Sequence, residues 1–484
     1  MRNYFVIFGG TGDISRRKLY PALFDMHRRN RLPARVIACS RAEIPDGEFK
    51  EKAAEFLQKH RNSPQMASFL RKLEHLRIDP DDRDSFSALR QKVGDAGVVI
   101  CDLAVPEEGF VPIIRRLEHA FPASFRKGRM RLLVEKPFGH DLASARSLNR
   151  LMQRVVGERN IYRIDHFLAK EVVENLLILR FANELFRAVW NNRHVDNVQI
   201  SFSESLGMEG RGAFYEKTGA LRDFVQSHIM QVLGLIAMEE PACLEDEMVK
   251  DNKAKALRSL KPLQLQDVVF GQYTAGKVNG AEVPGYAREP FVAKGSKTET
   301  FVALRAFVNA PKWRGVPFYI RTGKRMGHDT GVITLVFKKS SMCNFEDVKI
   351  PDADALQLVV SPEELFLMRI NLKTPEYRMK IKSFSMEYCY SCEHVNDRRK
   401  PYEKIYEDAL AGDKTRFSRA DEVEYAWKWL ETLKARPQLH KYPAGSHGPE
   451  AADRLLRAQG RRWIETAGDA KADFLYSGAQ QQRA

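Results

Sequence analysis

The chain has 484 residues, of which 44% are hydrophobic and 29% are charged, and its net charge is +15. This length allows two or three domains with a large buried core, and the composition is ordinary for a soluble globular protein. No apolar run approaches the roughly 20 residues that cross a bilayer, and the basic residues are spread along the chain instead of forming one aromatic-basic patch, so we expect neither a membrane nor a nucleic acid as partner.

The first predicted strand, residues 4–8, ends at the glycine-rich turn Gly9-Gly10-Thr11-Gly12, after which a helix-like segment begins. Glycines in such a turn let the backbone approach a phosphate, and the unpaired N–H groups of the first helical turn then face the anion. The first 41 residues carry nine Arg and Lys against two Asp, which suits a phosphorylated small molecule. The Gly-x-x-Gly spacing also occurs in purely structural turns, so spacing alone leaves both interpretations open.

Strand-like and helix-like segments alternate over the first 165 residues, which predicts βαβ units and a parallel sheet. Ligands of such sheets bind beyond the carboxyl ends of the strands. The residues that follow the predicted strands are therefore candidates for a ligand site: residues 9–12, Ser40 and Arg41, Ala104, Glu135 and Lys136, and Asp165 and His166. We predict an α/β, Rossmann-like dinucleotide-binding domain at residues 1–165.

The pattern changes after residue 165. Two helices are predicted near 168–183 and 221–238, and strand-like runs dominate from residue 301 to 386. Many sequential strands with few helices predict a large antiparallel sheet. A helical, charged part follows from about residue 401, and the last dozen residues are typical of a frayed tail. We therefore predict an α+β domain for substrate binding and dimerisation at residues 166–484.

The second predicted strand ends at Ser40 and Arg41. NAD-binding folds usually carry an acidic residue there, which holds the ribose hydroxyls of the adenosine. A hydroxyl and a cation instead suit a 2′-phosphate, so this position predicts NADP. The alternative is an ordinary surface arginine.

Further residues are candidates for substrate chemistry. His166 and Lys170 are four residues apart, so on a helix they share one face and can clamp a phosphate, although an ordinary exposed pair has the same spacing. His228 lies in an apolar helical segment, where a lone histidine is more often a core residue than a catalytic one. Asp223 precedes it by five residues, which is roughly 140° around an α-helix, so periodicity does not place the two on one face.

The six cysteines, at positions 39, 101, 243, 343, 389 and 392, are scattered, which favours reduced thiols and a cytoplasmic location. The entry into a strand at the N-terminus likewise predicts no signal peptide. Cys389 and Cys392 form one CxxC near His394, in an apolar strand-like stretch. Without a second pair this motif favours packing over a metal or redox site, and we predict no metal.

Several long motifs carry a family resemblance. The stretch GDISRRKLYPAL, which begins at Gly12, resembles the N-terminal signature of the glucose-6-phosphate dehydrogenase family, and IYRIDHFLAKE, residues 161–171, resembles its substrate signature. The resemblance continues in order through Glu204 and through residues 207–212, 219–241, 283–286, 298–303, 315–324, 412–415 and 421–427. It therefore spans nearly the entire chain.

The resemblance implies oxidation of glucose 6-phosphate at C1 to a lactone with hydride transfer to NADP, the entry step of the pentose phosphate pathway. It also implies a homodimer or homotetramer, with the antiparallel sheet at the dimer interface. The loss of a hydroxyl proton needs a general base, a task that suits histidine near neutral pH.

The resemblance assigns roles position by position. His228 is the implied base, and Asp165 holds and stabilises its imidazolium. The implied substrate ligands are His166 and Lys170 for the phosphate, Glu204 and Asp223 for sugar hydroxyls, Lys324 as a further contact, and Lys136 between sugar and nicotinamide. The implied cofactor residues are Gly9, Gly10, Thr11, Gly12, Asp13, Ile14, Ser40, Arg41, Ala104 and Lys136.

Two positions depart from the family pattern. Phe167 stands where a tyrosine hydroxyl usually contacts the phosphate, and Asp329 stands where a second basic residue is common. We expect these changes to weaken the hold on a dianionic substrate, since a charged hydrogen bond contributes about 1.5–3 kcal/mol; Arg325 is an alternative cation. They leave open a dehydrogenase of another sugar phosphate or amino-sugar phosphate. A non-catalytic NADP-binding paralogue is disfavoured, because the catalytic positions and the glycine turn are present.

Overall fold

The structure is a computed structural model, of which we describe residues 2–60, 62–340, 351–375, 380–393 and 399–465. The predicted frayed tail, Cys343 and His394 lie outside these residues. Among the described helices, none combines the length and the apolar composition that a bilayer crossing requires.

Strands and helices are numbered along the chain. In the described residues the strands are β1 Asn3–Phe8, β2 Ala34–Ser40, β3 Leu73–Arg77, β4 Val99–Leu103, β5 Met130–Val134, β6 Ile161–Ile164, β7 Val195–Ser203, β8 Val268–Thr274, β9 Gly276–Val278, β10 Ala281–Val283, β11 Phe301–Phe307, β12 Pro317–Gly323, β13 Thr330–Phe337, β14 Ala355–Ser361, β15 Leu365–Lys373, β16 Ile381–Cys389, β17 Phe417–Ser418 and β18 Leu439–Pro443.

The α-helices of the same residues are α1 Tyr20–Arg28, α2 Asp46–Phe56, α3 Met66–Leu70, α4 Arg83–Val93, α5 Phe110–Ala120, α6 Ala123–Arg129, α7 Leu142–Val156, α8 Glu171–Phe181, α9 Glu184–Val189, α10 Gly212–Ala220, α11 Met230–Ala237, α12 Asp246–Arg258, α13 Tyr390–Glu393, α14 Pro401–Ala411, α15 Ala420–Leu430 and α16 Glu450–Arg457. Two π-helical segments, Ser15–Leu19 and Leu221–Ile229, lead directly into α1 and α11.

The described residues form two compact units. The first lies within Met1–Ala169, Cys243–Lys250 and Arg399–Trp427, and the second within Lys170–Ala242, Asp251–Arg398 and Lys428–Ala484. Each unit is built on one large sheet. The domain boundary that we predict after residue 165 stays a prediction.

The first unit contains a seven-stranded sheet in the order β17-β6-β5-β4-β1-β2-β3. Strands β1 to β6 run parallel, and the short edge strand β17 is antiparallel to β6. The strands β1, β2 and β4 are almost entirely buried, as expected of a parallel sheet covered on both faces. The register pairs Phe8 with Cys39 on one side and with Leu103 on the other. The predicted Rossmann-like sheet is therefore confirmed, and residues 9, 40 and 104 leave it at one edge.

The second unit contains a nine-stranded sheet in the order β16-β15-β14-β13-β7-β12-β11-β8-β18. Most neighbours are antiparallel, whereas the pairs β7–β12 and β8–β18 are parallel. The predicted large antiparallel sheet is confirmed. Strand β7 lies at the centre of the sheet, so its end at Ser203 delivers Glu204 beside the end of β12 at Gly323, with which Ser203 is paired.

The oxidation state of the CxxC motif differs from the one that we predict from the sequence. Cys389 and Cys392 are joined by a disulfide, with their Cα atoms 5.3 Å apart, whereas the sequence favoured reduced, packed thiols. Strand β16 ends at Cys389, and the single helical turn that begins at Tyr390 returns the chain toward it. Among the described cysteines, Cys39 and Cys101 are buried thiols and Cys243 is an exposed one.

Candidate active site

The glycine turn after β1 is a close-packed backbone crossing. The N–H groups of Gly9 and Gly10 both donate to the carbonyl of Cys39, at 3.0 and 2.9 Å. Gly9 has a φ of +86°, and a Cβ there would lie 2.2 Å from the carbonyl oxygen of Ala104. A Cβ on Gly10 would lie 2.7 Å from the Cβ of Ala38. Glycine is therefore required at both positions, and the turn offers a phosphate a surface of backbone without side chains.

Side chains of the following helical segment hold this turn in place. The Ser15 hydroxyl donates to the carbonyl of Gly9 at 2.9 Å, and the buried Tyr20 hydroxyl donates to the carbonyl of Gly10. Burial raises the pKa of Tyr20, so its hydroxyl keeps the proton that it donates. Asp13 forms an exposed ion pair with Arg17 at 2.7 Å. The predicted cofactor residues Thr11, Gly12 and Ile14 are partly exposed at the same turn.

The carboxyl end of β2 carries a second polar group. The Ser40 hydroxyl lies 2.9 Å from Nε2 of His75, and the exposed Arg41 follows it. Sequence reasoning missed the exposed Arg77, whose Nε donates to the carbonyl of Arg41 at 3.3 Å. Arg77 ends β3 and pairs in register with Ser40. The sequence does show a cation, Arg77, in this stretch. Only the pairing of β3 with β2 places it beside Arg41.

Two carboxyls near the ends of β4 and β5, the buried Asp102 and the partly buried Glu135, accept hydrogen bonds from tyrosines. Glu135 accepts a hydrogen bond from the Tyr402 hydroxyl at 2.8 Å, and Asp102 accepts one from Tyr406 at 2.6 Å. Burial raises the pKa of Asp102 to about 7; burial, with the nearby Asp102 charge, raises that of Glu135 to about 8. Lys136 follows at the strand end and is partly exposed.

The turn after β6 contains the substrate-signature residues of the first unit. Asp165 is 4% exposed, and its Oδ1 accepts the backbone N–H of Phe167 at 3.0 Å. The ring of Phe167 is buried against the ring of His166, with centroids 4.9 Å apart. A short carboxylate-capped turn therefore fixes the direction in which the His166 side chain leaves the strand.

Lys170 belongs to the second unit, at the N-cap of α8. Its Nζ donates to the carbonyl of Val360 at 2.6 Å. The N-terminus of α8 is also held by Glu364, whose Oε2 accepts the N–H of Val172 at 3.1 Å. The ammonium group is thus held at a helix N-terminus, where an anion is favoured.

Glu204 and Lys324 form an ion pair of 2.5 Å at the ends of β7 and β12. The Lys324 side chain is 8% exposed, and its Nζ lies 5.9 Å from the centroid of the Tyr215 ring. Burial, together with the charges of Asp223 and Glu204, holds the pKa of Tyr215 well above its usual range. The structure therefore brings Glu204, Lys324 and Asp223 together around one buried tyrosine.

His228 is 2% exposed and lies on the π-helical segment Leu221–Ile229. Its ring centroid is 5.1 Å from that of Phe224, which in turn is 5.3 Å from that of Phe202 on β7. Because a π-helix forms its hydrogen bonds between residues five apart, Asp223 and His228 lie on the same side of this segment. The step of roughly 140° that an α-helix gives for this pair therefore does not apply to this segment.

Asp329 and Arg325 both form polar contacts within the second unit. Asp329 accepts from Ser205, with the N–H at 2.6 Å from Oδ1 and the hydroxyl at 2.9 Å from Oδ2. Arg325 directs its Nη2 to Glu289 at 3.3 Å and to Glu209 at 3.7 Å. Asp329 is therefore held by a backbone and a side-chain donor, and Arg325 is committed to carboxylates, which argues against its use as a substitute phosphate ligand.

The predicted site residues thus fall into two groups. The cofactor residues, Lys136, Asp165 and His166 lie in the first unit; Lys170, Glu204, Asp223, His228 and Lys324 lie in the second. Sequence reasoning also missed Glu299, whose Oε1 accepts the N–H of Leu221 at 3.3 Å at the start of the π-helical segment. Glu299 lies in the family motif at residues 298–303, but the sequence does not indicate what its side chain binds.

Comparison with known proteins agrees with this architecture. The family model "Glucose-6-phosphate dehydrogenase, NAD binding domain" matches residues 6–175, and "Glucose-6-phosphate dehydrogenase, C-terminal domain" matches residues 177–464. The glucose-6-phosphate 1-dehydrogenase of Chlamydia muridarum is 36% identical over 485 residues, which cover 95% of this chain and 96% of that protein. The enzyme of the same name from Treponema pallidum is 36% identical over 484 residues, covering 95% and 94%.

Solved structures give the same result. A glucose-6-phosphate dehydrogenase in complex with its substrate glucose-6-phosphate superposes with a TM-score of 0.88 at 30% identity, covering 96% of this chain and 99% of that one. Glucose-6-phosphate 1-dehydrogenase from Mycobacterium avium superposes with a TM-score of 0.83 at 31% identity, with the same coverage.

Proposed function

Because the chain belongs to the glucose-6-phosphate dehydrogenase family, we propose that it oxidises glucose 6-phosphate at C1 to 6-phosphogluconolactone and reduces NADP, the entry step of the pentose phosphate pathway. The observation that carries this proposal is the polar group of the second unit: Glu204 is paired with Lys324, and the π-helical segment places Asp223 and the buried His228 on the same side. A set of carboxylates, a cation and a buried histidine matches what a sugar phosphate and its reacting hydroxyl require.

The first unit fits the cofactor. The glycines at 9 and 10 let the turn pack closely against Ala104 and Ala38, which shapes the backbone that a pyrophosphate approaches, and Thr11, Gly12, Asp13 and Ile14 continue that turn. Ser40 and Arg41 hold the 2′-phosphate, with Arg77 beside them. Ala104 and Lys136 border the nicotinamide end. Bound NADP supplies the ring carbon that accepts the hydride. We propose residues 1–165 as the cofactor domain and residues 166–484 as the substrate and dimerisation domain.

The substrate phosphate is bound by His166 and Lys170, both of which offer charged or polar donors. Glu204 and Asp223 accept hydrogen bonds from sugar hydroxyls, an arrangement that fixes the orientation of the ring because each carboxylate accepts two directional bonds. Lys324 holds Glu204 and contacts the sugar. Together these groups orient C1 and its hydroxyl for reaction.

His228 acts as the general base. A ring nitrogen removes the proton of the C1 hydroxyl as the hydride leaves C1, so the C–H and O–H bonds break while the carbonyl forms. Asp165 is the carboxylate assigned to stabilise the imidazolium. Positioned histidine bases contribute roughly 100- to 10,000-fold to a rate.

The assembly that we propose is a homodimer or homotetramer in the cytoplasm. The edge strand β16 and its neighbour β15 carry the exposed apolar side chains Leu372, Phe384 and Met386, which are 48%, 40% and 52% exposed. Light scattering after gel filtration measures the oligomeric state, and cell fractionation measures the location.

The experiment that tests the activity is NADPH formation by the purified protein with a panel of sugars. The panel holds the 6-phosphates of glucose, galactose, mannose and glucosamine, with free glucose as the control, and NADP is compared with NAD. Preferred turnover of glucose 6-phosphate with NADP supports the proposal. Preference for another sugar contradicts it and makes Phe167 a specificity residue; tight NADP binding without turnover indicates a binding paralogue.

A further inference from the structure

The loop between β12 and β13, residues 324–329, contacts the residues that follow Glu204. We propose that Asp329 in this loop is a positioning residue, which fixes the direction of the Glu204 carboxylate through Ser205; this role rests on the proposed function of Glu204 as a sugar ligand. Asp329 thereby takes a structural role at a position where we expected a charge that repels the substrate.

Asp329 binds Ser205 at two points. The backbone N–H of Ser205 donates to Oδ1 at 2.6 Å, and the Ser205 hydroxyl donates to Oδ2 at 2.9 Å. Ser205 is 7% exposed, whereas Asp329 lies at the surface. Since hydrogen bonds to a carboxylate are stronger than those between neutral groups, the pair fixes the backbone immediately after Glu204.

The same loop and the end of β12 hold Glu204 itself. The N–H of Glu204 donates to the carbonyl of Gly323 at 2.9 Å, and the N–H of Met326 donates to the carbonyl of Glu204 at 3.0 Å. The Glu204 side chain pairs with Lys324 at 2.5 Å. The backbone of Glu204, its side chain and the following residue Ser205 are therefore all held, and Asp329 supplies the contacts to Ser205.

The residues next along the chain are packed against the loop as well. The N–H of Arg325 donates to the carbonyl of Leu206 at 3.2 Å. A Cβ on Gly207 would lie 2.4 Å from Nε of Arg325. If Asp329 no longer binds Ser205, the segment 205–207 is loosened at Ser205 but stays held at residues 206 and 207. We expect this to change the direction of the Glu204 side chain without unfolding the loop.

For the variant Asp329→Lys, this positioning role and simple charge repulsion predict opposite changes in the KM for the sugar phosphate. If Asp329 weakened binding through its charge, a lysine there would lower the KM for the sugar phosphate. A lysine cannot accept the Ser205 N–H, because an ammonium group has donors only. Under the positioning role, Asp329→Lys therefore raises that KM.

The test compares Asp329→Lys, Asp329→Ala and Asp329→Asn with the wild type, with glucose 6-phosphate and NADP as substrates. We expect the first two variants to raise the KM for glucose 6-phosphate by about 5- to 10-fold, the value of roughly one hydrogen bond, and to leave the KM for NADP unchanged. Asp329→Asn retains an acceptor for the N–H and restores most of the affinity. The control for net charge is Glu282→Lys, which reverses the charge of a side chain in the second unit that is 83% exposed.

The second arm asks whether the effect acts through Glu204. In a Glu204→Gln background, we expect Asp329→Ala to add less than twofold, because its route to the substrate is already lost. Full additivity overturns the proposal, and so does a lowered KM in Asp329→Lys. Ser205→Ala, which removes only the hydroxyl bond, gives a smaller change in the same direction and keeps the test valid if a variant at 329 fails to fold.

The wild-type control separates this inference from the proposed function. If the wild type does not oxidise glucose 6-phosphate, the function itself is refuted, and the role of Asp329 is refuted with it. If the wild type turns it over and the Asp329 variants match it, only the positioning role is refuted.

Discussion

Asp223 and His228 lie five residues apart on one face of a helical segment, because Leu221–Ile229 winds as a π-helix. In that winding backbone N–H groups bond to carbonyls five residues earlier, as Met230 does to Val225. In an α-helix the same two residues would point roughly 140° apart. The local winding therefore lets a proposed base and a proposed hydroxyl ligand serve the same substrate.

The first prediction concerns the base. We expect His228→Gln to lower kcat by about 100- to 10,000-fold, because a positioned general base is lost, while the dissociation constant for NADP stays within twofold of the wild type. Steady-state kinetics and NADPH fluorescence titration measure the two quantities. His119→Gln, at an exposed position on α5, is the control and is expected to match the wild type. A kcat within tenfold of the wild type in His228→Gln would exclude the residue as the base.

The second prediction concerns the start of the π-helical segment. Gly219 has a φ of +63° and a ψ of 176°, and a Cβ there would lie 2.3 Å from Oε1 of Glu299, the acceptor of the Leu221 N–H. We expect Gly219→Ala to destabilise the fold by about 3 kcal/mol or more and to lower kcat. The control is Gly210→Ala. Gly210 has a φ of +81°, and an added Cβ there would have nothing within 4 Å. This control isolates backbone strain, and equal losses in both variants would show that the contact with Glu299 is unimportant.

The third prediction concerns cofactor choice. Arg41→Ala removes the cation proposed for the 2′-phosphate, so we expect the KM for NADP to rise about 10- to 100-fold and the KM for NAD to change little. Arg77→Ala is expected to act in the same direction with a smaller effect, since its guanidinium is held at the Arg41 carbonyl. Arg83→Ala, at an exposed arginine on α4, serves as the control. Equal changes for the two cofactors would place Arg41 outside the 2′-phosphate site.

The fourth prediction concerns Phe167. Its ring is buried against His166, and Phe167→Tyr adds the hydroxyl that the family pattern has there. We expect the KM for glucose 6-phosphate to fall about 3- to 10-fold, the value of one added hydrogen bond. The comparison is made with Phe214→Tyr, at a phenyl ring on α10 that is 42% exposed. An unchanged KM in Phe167→Tyr would mean that the hydroxyl has no partner on the substrate.

The fifth prediction concerns the buried carboxyl of Asp102. Its pKa is raised by burial to about 7, against about 3.9 in the unfolded chain. Between these values the folded protein holds a proton that the unfolded chain has lost, so the free energy of unfolding falls as the pH rises from about 4 to 7. Asp102→Asn removes this dependence and keeps an acceptor for Tyr406.

The measurement is urea-induced unfolding of wild type and Asp102→Asn at pH 5 and pH 8. We expect the stability of the variant relative to the wild type to rise by about 3 kcal/mol from pH 5 to pH 8, because the raised pKa of Asp102, about 7, lies about two pH units above the lower end of this window. Glu135 keeps part of the pH dependence in both proteins, because its pKa is also raised. A stability difference that is the same at both pH values would contradict a proton held by Asp102 in the fold.

The sequence by itself determined the features that depend on local pattern. The apolar run that ends in Gly9 and Gly10 predicted the strand and its phosphate-facing turn, because the apolar residues and the glycines that follow them are adjacent in the sequence. The alternation over the first 165 residues predicted the parallel sheet, and the long strand-rich stretch predicted the antiparallel one. The family motifs located the candidate site residues in chain order.

Only the tertiary structure decided how distant residues meet. Ser205 and Asp329 are separated by 124 positions, and the strand order that sets Arg77 beside Arg41 comes from the pairing of β2 with β3. Strands β8 and β18 pair across a still longer separation. Local propensity carries no information on such contacts, because they depend on which sheet edges the whole core brings together. The π-helical segment that carries Asp223 and His228 likewise begins at a contact between distant residues, because Glu299 accepts the N–H of Leu221.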